Sequence, residues 1–186
     1  MDFIPYEQFG VNFVSTAVTP ERVKAAVAEV AGDSFQIGPF SAGPAGVAVV
    51  KAEARIGAVE IEQLPGTLLT FEAMLPVGLD LEVRVAAVPH RYTGAIRVPL
   101  SLSVRTLQPL SLLIEVEPVV AGHVTVHLRS EGMSAGVLQR IGNIDGEVRK
   151  QVARVVNERL DSEHARASRR IDVAALIDKA LDERGV

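Results

Sequence analysis

The stretch LTFEAMLPVGLDLEVRV, residues 69–85, places an apolar side chain at every second position over 17 residues. A period of two is that of a β-strand with one buried face. At ~3.3 Å per residue the stretch could span roughly 56 Å, whereas most strands have ~5–6 residues. It is therefore either one unusually long strand or two strands joined at residues 76–78. In both cases it predicts a long sheet with one apolar face, which another part of the chain must cover.

Four further segments show the same period of two. In residues 47–64 the apolar phase changes at Gly57, after Ile56 and before Val59. One inserted residue beside a glycine indicates a β-bulge, which keeps the apolar side chains on one face. The other three segments are 96–104, 110–116 and 124–128. Alternation with short turns favours an antiparallel sheet that has one solvated face.

The segments between these strands are predicted from their turn residues. Residues 38–46 and 89–94 have the composition of loops. Pro99 interrupts the strand at 96–104, which indicates an edge strand or an outward position whose missing N–H needs no partner. Residues 13–18 are expected to be extended.

Three segments carry helix signals. Thr19 can cap a helix that Gly32 ends. At residues 135–160 the apolar residues recur at three- and four-residue steps, which predicts a rod of about 26 residues and roughly 39 Å. Asp172 can cap a last short helix.

We expect an α+β fold in a single domain that covers residues 1–186. A long, highly twisted antiparallel sheet would wrap around the long C-terminal helix, with a second, shorter N-terminal helix beside it. A closed barrel is the main alternative, but five strands are few for a barrel with a filled interior. Residues 1–14 contain four of the eight aromatic residues and are expected to form an aromatic N-terminal arm.

The composition argues against several classes of protein. Hydrophobic residues make up 48% of the chain, yet no apolar run approaches the ~20 residues of a membrane-spanning helix. The absence of cysteine excludes disulfides, thiolate metal sites and cysteine nucleophiles. A net charge of −4 argues against nucleic acid as a partner. The first residues lack the basic region of a signal peptide, so we expect a cytoplasmic protein.

The sequence shows no pattern typical of catalysis. The glycines at 43–46 lack the Lys and Ser/Thr of a phosphate-binding loop. His123 and His127 lie too far apart along a strand to share a metal ion. Carboxylate pairs fall on polar strand faces rather than in a cleft. We therefore expect that the protein is not an enzyme and that it binds neither a cofactor nor a metal ion.

Three segments resemble a known family. They are YTGAIRVPLSLSV at 92–104, the predicted hairpin at 110–128, and the helix at 148–160 with Ile171-Asp172-Val173 after it. In pattern and element order, over about residues 15–180, the chain resembles the tubular lipid-binding (TULIP) superfamily. This superfamily includes the bactericidal/permeability-increasing proteins and the synaptotagmin-like mitochondrial lipid-binding domains. The resemblance implies an antiparallel sheet around a long helix, with lipid acyl chains held in the seam.

We therefore predict non-enzymatic binding or transport of a lipid or other elongated apolar ligand between the sheet and the helix at 135–160. Small inward residues such as Ala73, together with Gly142 and Gly146, would leave room for it. The predicted lining residues are Leu75, Leu79, Leu81, Val83, Ile96, Val98, Leu100, Leu102, Leu112, Ile114, Ile141, Ile144 and Val148.

Two further expectations concern partners. Residues 161–170 either extend the helix or unwind; if the helix persists, Arg166 and Arg170 share a face and could meet an anionic headgroup, with a transient contact to a membrane surface. The alternative function is that of a structural or adaptor protein with a fully packed core, which acts through protein–protein contacts, including a homodimer.

Overall fold

The computed structural model describes residues 2–66, 69–85, 88–130 and 144–183. Two long antiparallel strands form the centre of its sheet. These ranges form five helices and one eight-stranded antiparallel sheet. The helices are α1 (Tyr6–Ala17), α2 (Pro20–Ala31), α3 (Ile144–Leu160), α4 (Glu163–Ser168) and α5 (Val173–Asp182). The strands are β1 (Ser34–Ala42), β2 (Ala48–Ile56), β3 (Glu60–Leu64), β4 (Thr70–Val85), β5 (Val88–Leu107), β6 (Ser111–Val116), β7 (Thr125–Ser130) and β8 (Arg170–Asp172).

The alternating stretch at 69–85 forms one strand, β4, and not two. It pairs with β5 without a break, from Thr70 opposite Ser103 to Val85 opposite Val88. Every second residue from 71 to 83 is at most 2% exposed. The pattern therefore predicted correctly both the strand and its buried face.

The bulge predicted at Gly57 separates β2 from β3, both of which pair with β4. Ile56 lies opposite Val77 and Glu60 lies opposite Met74. Between these two pairs, the segment from β2 to β3 advances four residues while β4 advances only three. This difference is the one-residue insertion that the phase change indicated. The predicted single strand at 47–64 is corrected to two strands joined at this bulge.

Strand β5 includes segments for which the sequence predicted something else. Residues 89–94 are not a loop, because they pair with β4 throughout. Pro99 does not mark an edge strand, because it pairs with Met74 of β4. On its other side Pro99 falls between residues 92–97, which pair with β7, and residues 102–107, which pair with β6. A residue without an N–H fits this gap between two partner strands.

The sheet order is β1-β2-β4-β5-β6-β8, with β3 paired to β4 and β7 paired to β5. Strands β6 and β7 pair with β5 in succession and not with each other, so the hairpin predicted at 110–128 is wrong. The sheet is strongly curled, and α3 contacts both β1 at one edge and β7 on the far side of β5.

The N-terminal part of the chain contains two helices. Residues 13–18 are not extended, because α1 continues to Ala17. The side chain of Thr19 accepts a hydrogen bond from the Arg22 N–H, and α2 ends at Gly32, whose φ of 68° is in the left-handed region. Both end signals of α2 were predicted from the sequence. The predicted loop at 38–46 is shorter than expected, since β1 extends to Ala42.

The predicted helix at 135–160 is described only from Ile144. Residues 131–143, with Ile141 and Gly142 among them, lie outside the described residues. The described helix α3 has 17 residues and is about 26 Å long at 1.5 Å per residue. Its apolar face packs into the curled sheet, where Val148 and Val152 are fully buried.

Candidate apolar binding groove

Two narrow clefts lie side by side between α2 and the inner face of the sheet. The first encloses about 370 Å³ and the second about 320 Å³, in each case with the open mouth included. Val27, Val30 and Leu160 line both clefts, so the two clefts adjoin, and we call them together the α2 groove. The space open to the centre of a water-sized molecule is only about 30 Å³ in the first cleft and about 20 Å³ in the second, so the groove is nearly closed.

The walls of the α2 groove come from α2, from the C-terminal end of α3, from the sheet and from the segment that joins α3 to β8. Of the described residues that line it, only Arg159, Ser168 and Arg169 are polar. The first cleft is also lined by Val23, Ala26, Leu102, Ile114, Val116 and Ala165. The second is also lined by Ala31, Phe35, Ile56, Leu75, Leu100 and Val156. This lining suits an apolar ligand.

Helix α2 faces the sheet with a stripe of small apolar residues. Val23, Ala26, Val27 and Val30 recur at three- and four-residue steps and thus lie on one helix face. Val23 is almost completely buried, whereas Val27 and Val30 remain partly exposed because they border the groove. The short side chains leave α2 incompletely packed on the sheet.

Arg159, near the end of α3, attaches the C-terminus of α2 to the body of the protein. Its Nη1 donates a hydrogen bond to the carbonyl oxygen of Ala31, and its Nη2 donates to that of Ser34 at 2.6 Å. Its guanidinium carbon lies 5.3 Å from the ring centre of Phe35. The guanidinium of Arg159 thus donates a hydrogen bond to a carbonyl oxygen at the C-terminal, negative end of the α2 dipole. A contact of 3.4 Å between Nε2 of His164 and Oε1 of Glu29 joins the same end of α2 to α4.

Arg169, directly after α4, lines the first of the two clefts. Its Nε donates to the carbonyl oxygen of Ala165 at 3.2 Å, and its Nη2 donates to that of Leu160 at 2.5 Å. Its own carbonyl accepts a hydrogen bond of 2.9 Å from the N–H of Ile114 in β6. Leu160, Ala165 and Ile114 all line the groove, so the guanidinium is held at its wall.

The predicted lining residues fall into three groups. Leu75, Leu100, Leu102 and Ile114 line the α2 groove. Ile141 lies outside the described residues. The others, each at most 3% exposed, belong to the closed core: Leu79, Leu81, Val83, Ile96, Val98, Leu112, Ile144 and Val148. Contact with a ligand stays a prediction for all thirteen.

The ligand was predicted beside the helix at 135–160, so the α2 side of the groove was not predicted. None of the predicted lining residues lies on α2, although Val23, Ala26, Val27 and Val30 line the groove. The signal that could have identified them is their size, because a stripe of alanine and valine cannot fill the space that a stripe of leucine would fill.

Arg166 and Arg170 do not share a helix face. Helix α4 ends at Ser168, and Arg170 is the first residue of β8. Both side chains are exposed, and Arg166 lies 3.8 Å from Asp161. The i, i+4 geometry expected for a headgroup site is therefore wrong, because the chain turns between the two residues.

Among the described residues, no group of three or more His, Cys, Asp or Glu side chains is arranged to hold a metal ion. Within those same ranges, no helix is long and apolar enough to cross a membrane.

No protein-family model and no curated protein matches the chain. One solved structure similar to it is the crystal structure of lipopolysaccharide binding protein, at 14% sequence identity and a TM-score of 0.37. The match covers 77% of this chain and 36% of that protein's chain, so this chain spans about a third of its length. A TM-score of this size supports no inference about function.

Proposed function

We propose that the protein binds an elongated apolar molecule, such as the acyl chain of a lipid, in the α2 groove and catalyses no reaction on it. The observation that carries the proposal is that two apolar clefts adjoin under one helix, because Val27, Val30 and Leu160 line both of them. The resemblance of the element order to the TULIP superfamily supports an acyl chain as the occupant. Each methylene buried there would contribute about 0.8 kcal/mol to binding.

The narrowness of the groove determines how a ligand would enter. A chain can lie against Leu100 and Leu102 only if α2 moves away from the sheet. The attachments through Arg159, Glu29 and His164 all lie at or near the C-terminal end of α2. We therefore propose that the N-terminal end of α2 moves outward while its C-terminal end stays attached.

Native mass spectrometry of the purified protein, followed by extraction with organic solvent, tests the proposal. A mass shift that disappears on extraction, with a lipid in the extract, is the expected result. An environment-sensitive fatty-acid probe should then bind to the extracted protein. If no lipid co-purifies and the probe does not bind, the proposed function is wrong.

Two neighbouring alanines of α2 provide a matched pair of variants. Ala26 lines the groove, whereas Ala25 is exposed. Ala26→Trp places a large side chain in the groove, which a ligand would have to displace, and should weaken probe binding about tenfold, or about 1.4 kcal/mol. Ala25→Trp places the same side chain in solvent and should leave the affinity unchanged. Equal affinities for both variants would contradict the assignment to this groove.

Transport is the proposed role of this binding, in the cytoplasm and with a brief contact at a membrane surface. Its test is the transfer of a fluorescent fatty acid between donor and acceptor vesicles. Wild-type protein should accelerate the transfer and Ala26→Trp should not. Acceleration by both proteins would show that the groove is not the carrier site.

A second candidate function, protein–protein contact through α1, is favoured by the exposure of that helix. Phe13 at its C-terminal half packs on the core, but Tyr6 and Phe9 on the same stripe are 95% and 58% exposed. Glu7 is the single charge between residues 3 and 18. Aromatic residues with few charges are typical of the centre of protein interfaces. We propose a second copy of the chain as the partner.

Sedimentation velocity tests this second candidate. Val11 is also exposed, but it lies on the opposite face of α1 from Phe9, so it provides a control. Phe9→Ser should convert a dimer into a monomer, whereas Val11→Ser should not. A wild-type protein that is monomeric at high concentration would exclude the homodimer.

A further inference from the structure

Arg169 is a partly buried cation at the wall of an apolar groove. Among the described residues, no carboxylate lies within 4 Å of its guanidinium. Asp161, which is close in sequence, lies beside Arg166 instead. Asp172 accepts a hydrogen bond from the N–H of Ala175 at the start of α5. The charge of Arg169 is thus not neutralised by the acidic residues next to it in sequence.

The hydrogen bonds that Arg169 makes leave part of its guanidinium uncommitted. The group carries five N–H donors in a planar fork. Two of these donors make hydrogen bonds to described residues, from Nε to the carbonyl oxygen of Ala165 and from Nη2 to that of Leu160. The carbonyl of Leu160 ends α3, so the cation also stabilises that helix terminus. This structural role explains two donors and leaves Nη1 without a partner among the described residues.

An arginine whose charge is not paired is suited to an anion. Arg169 is only partly buried at the wall of the groove, so its free Nη1 stays accessible to a ligand of opposite charge. A carboxylate or a phosphate can accept two parallel hydrogen bonds from one guanidinium. Arg159, the other cation of the groove, adds positive charge to the lining, and no acidic residue is among the described lining residues.

We propose that the α2 groove selects an amphipathic ligand with an anionic head, either a carboxylate or a phosphate, and that Arg169 binds this head while the apolar tail lies along α2. This inference rests on the proposed function, because it assigns the chemical class of the ligand in the same groove. The hydrogen bonds from the guanidinium to the carbonyl oxygens of Ala165 and Leu160 hold the cation in place before the ligand arrives.

A comparison of ligands that differ only in the head tests the inference. Hexadecanoic acid and hexadecanol compete with the fluorescent probe for the extracted protein, and inorganic phosphate is added alone in a third series. The acid should bind about tenfold more tightly than the alcohol, as a hydrogen-bonded charge pair implies. Inorganic phosphate should not compete, because it has no tail. Equal binding of acid and alcohol would overturn the inference, and competition by phosphate alone would show a free-anion site without a tail requirement.

Variants assign the preference to one residue. Arg169→Gln should remove the difference between acid and alcohol, while Arg166→Gln, which changes an exposed arginine nearby, should preserve it. Arg169→Lys keeps the charge and covers the case in which the glutamine variant does not fold. It should retain a reduced preference for the acid. A preference that survives Arg169→Gln would overturn the assignment.

The failure of the inference and the failure of the proposed function give different results. If the alcohol binds as tightly as the acid, the groove still binds apolar molecules, and only the preference for an anionic head is disproved. If neither compound displaces the probe, the proposed function itself is wrong.

Discussion

Removal of the Arg159 side chain should weaken the attachment of α2 to the rest of the protein. In Arg159→Ala, the carbonyl oxygens of Ala31 and Ser34 lose their hydrogen bonds, and the ring of Phe35 loses the cation next to it. We expect a less stable protein in which the C-terminal end of α2 is no longer fixed over the groove.

The magnitude follows from these three contacts. Each hydrogen bond contributes about 1 kcal/mol net, and the cation–π contact adds ~0.5–1 kcal/mol, which gives roughly 2–3 kcal/mol in total. Arg154 on the same helix provides a control. Its contacts to Gln151 and Glu158 are exposed, so Arg154→Ala should cost less than about 0.5 kcal/mol.

Urea denaturation followed by circular dichroism measures both variants. With a slope of about 2 kcal/mol per molar urea, Arg159→Ala should lower the midpoint by roughly 1–1.5 M. Arg154→Ala should shift it by less than about 0.3 M. Equal midpoints for the two variants would refute the conclusion that Arg159 holds α2 in place.

Two further substitutions test the core and the backbone. Burial raises the pKa of Tyr92, and its hydroxyl has no hydrogen-bond partner among the described residues. Tyr92→Phe should therefore stabilise the protein by about 1 kcal/mol in thermal unfolding. The difference in stability between Tyr92→Phe and the wild type should increase above pH 10, because the unfolded wild type then loses the phenolic proton and the folded wild type retains it. A difference that stays constant with pH would argue against burial as the cause. Gly38 has a φ of +86°, and a Cβ there would lie 2.5 Å from the carbonyl oxygen of Val50. Gly38→Ala should cost more than about 2 kcal/mol, whereas Gly122→Ala, with open space around it, should cost less than about 0.5 kcal/mol; similar costs would contradict this.

Features of the fold that depend on neighbouring residues were predictable from the sequence. The period of two gave β4 and its buried face, and the phase change at Gly57 gave the bulge. The cap at Thr19, the end at Gly32 and the cap at Asp172 were also correct. Each of these signals acts within a few residues, where local sterics and hydrogen bonds determine the structure.

Features that depend on distant pairing were not predictable. Residues 89–94 have turn chemistry, yet they lie in β5 because β4 continues beside them. Strands β6 and β7 look like a hairpin, but each finds its partner in β5. The stripe of α1 was missed because half of it faces solvent. Tertiary contacts override local preference in the first two cases.

The candidate site was predictable only on its sheet side. Leu75, Leu100, Leu102 and Ile114 were named from the apolar phase of the strands, and they do line the groove. The helix opposite them could not be identified, because α2 and the segment at 135–160 both carry an apolar stripe. The location of the gap depends on how closely each helix packs on the sheet.

Photo-crosslinking tests most directly the central claim that an acyl chain lies between α2 and the sheet. Hexadecanoic acid with a diazirine at its methyl end is irradiated with the extracted protein, and the labelled peptides are mapped by mass spectrometry. Our account predicts label on residues 23–30 and on the facing wall at residues 100–102, and loss of this label in Ala26→Trp but not in Ala25→Trp. Label confined to the exposed faces of α1 and α5, or equal label in both variants, would contradict it.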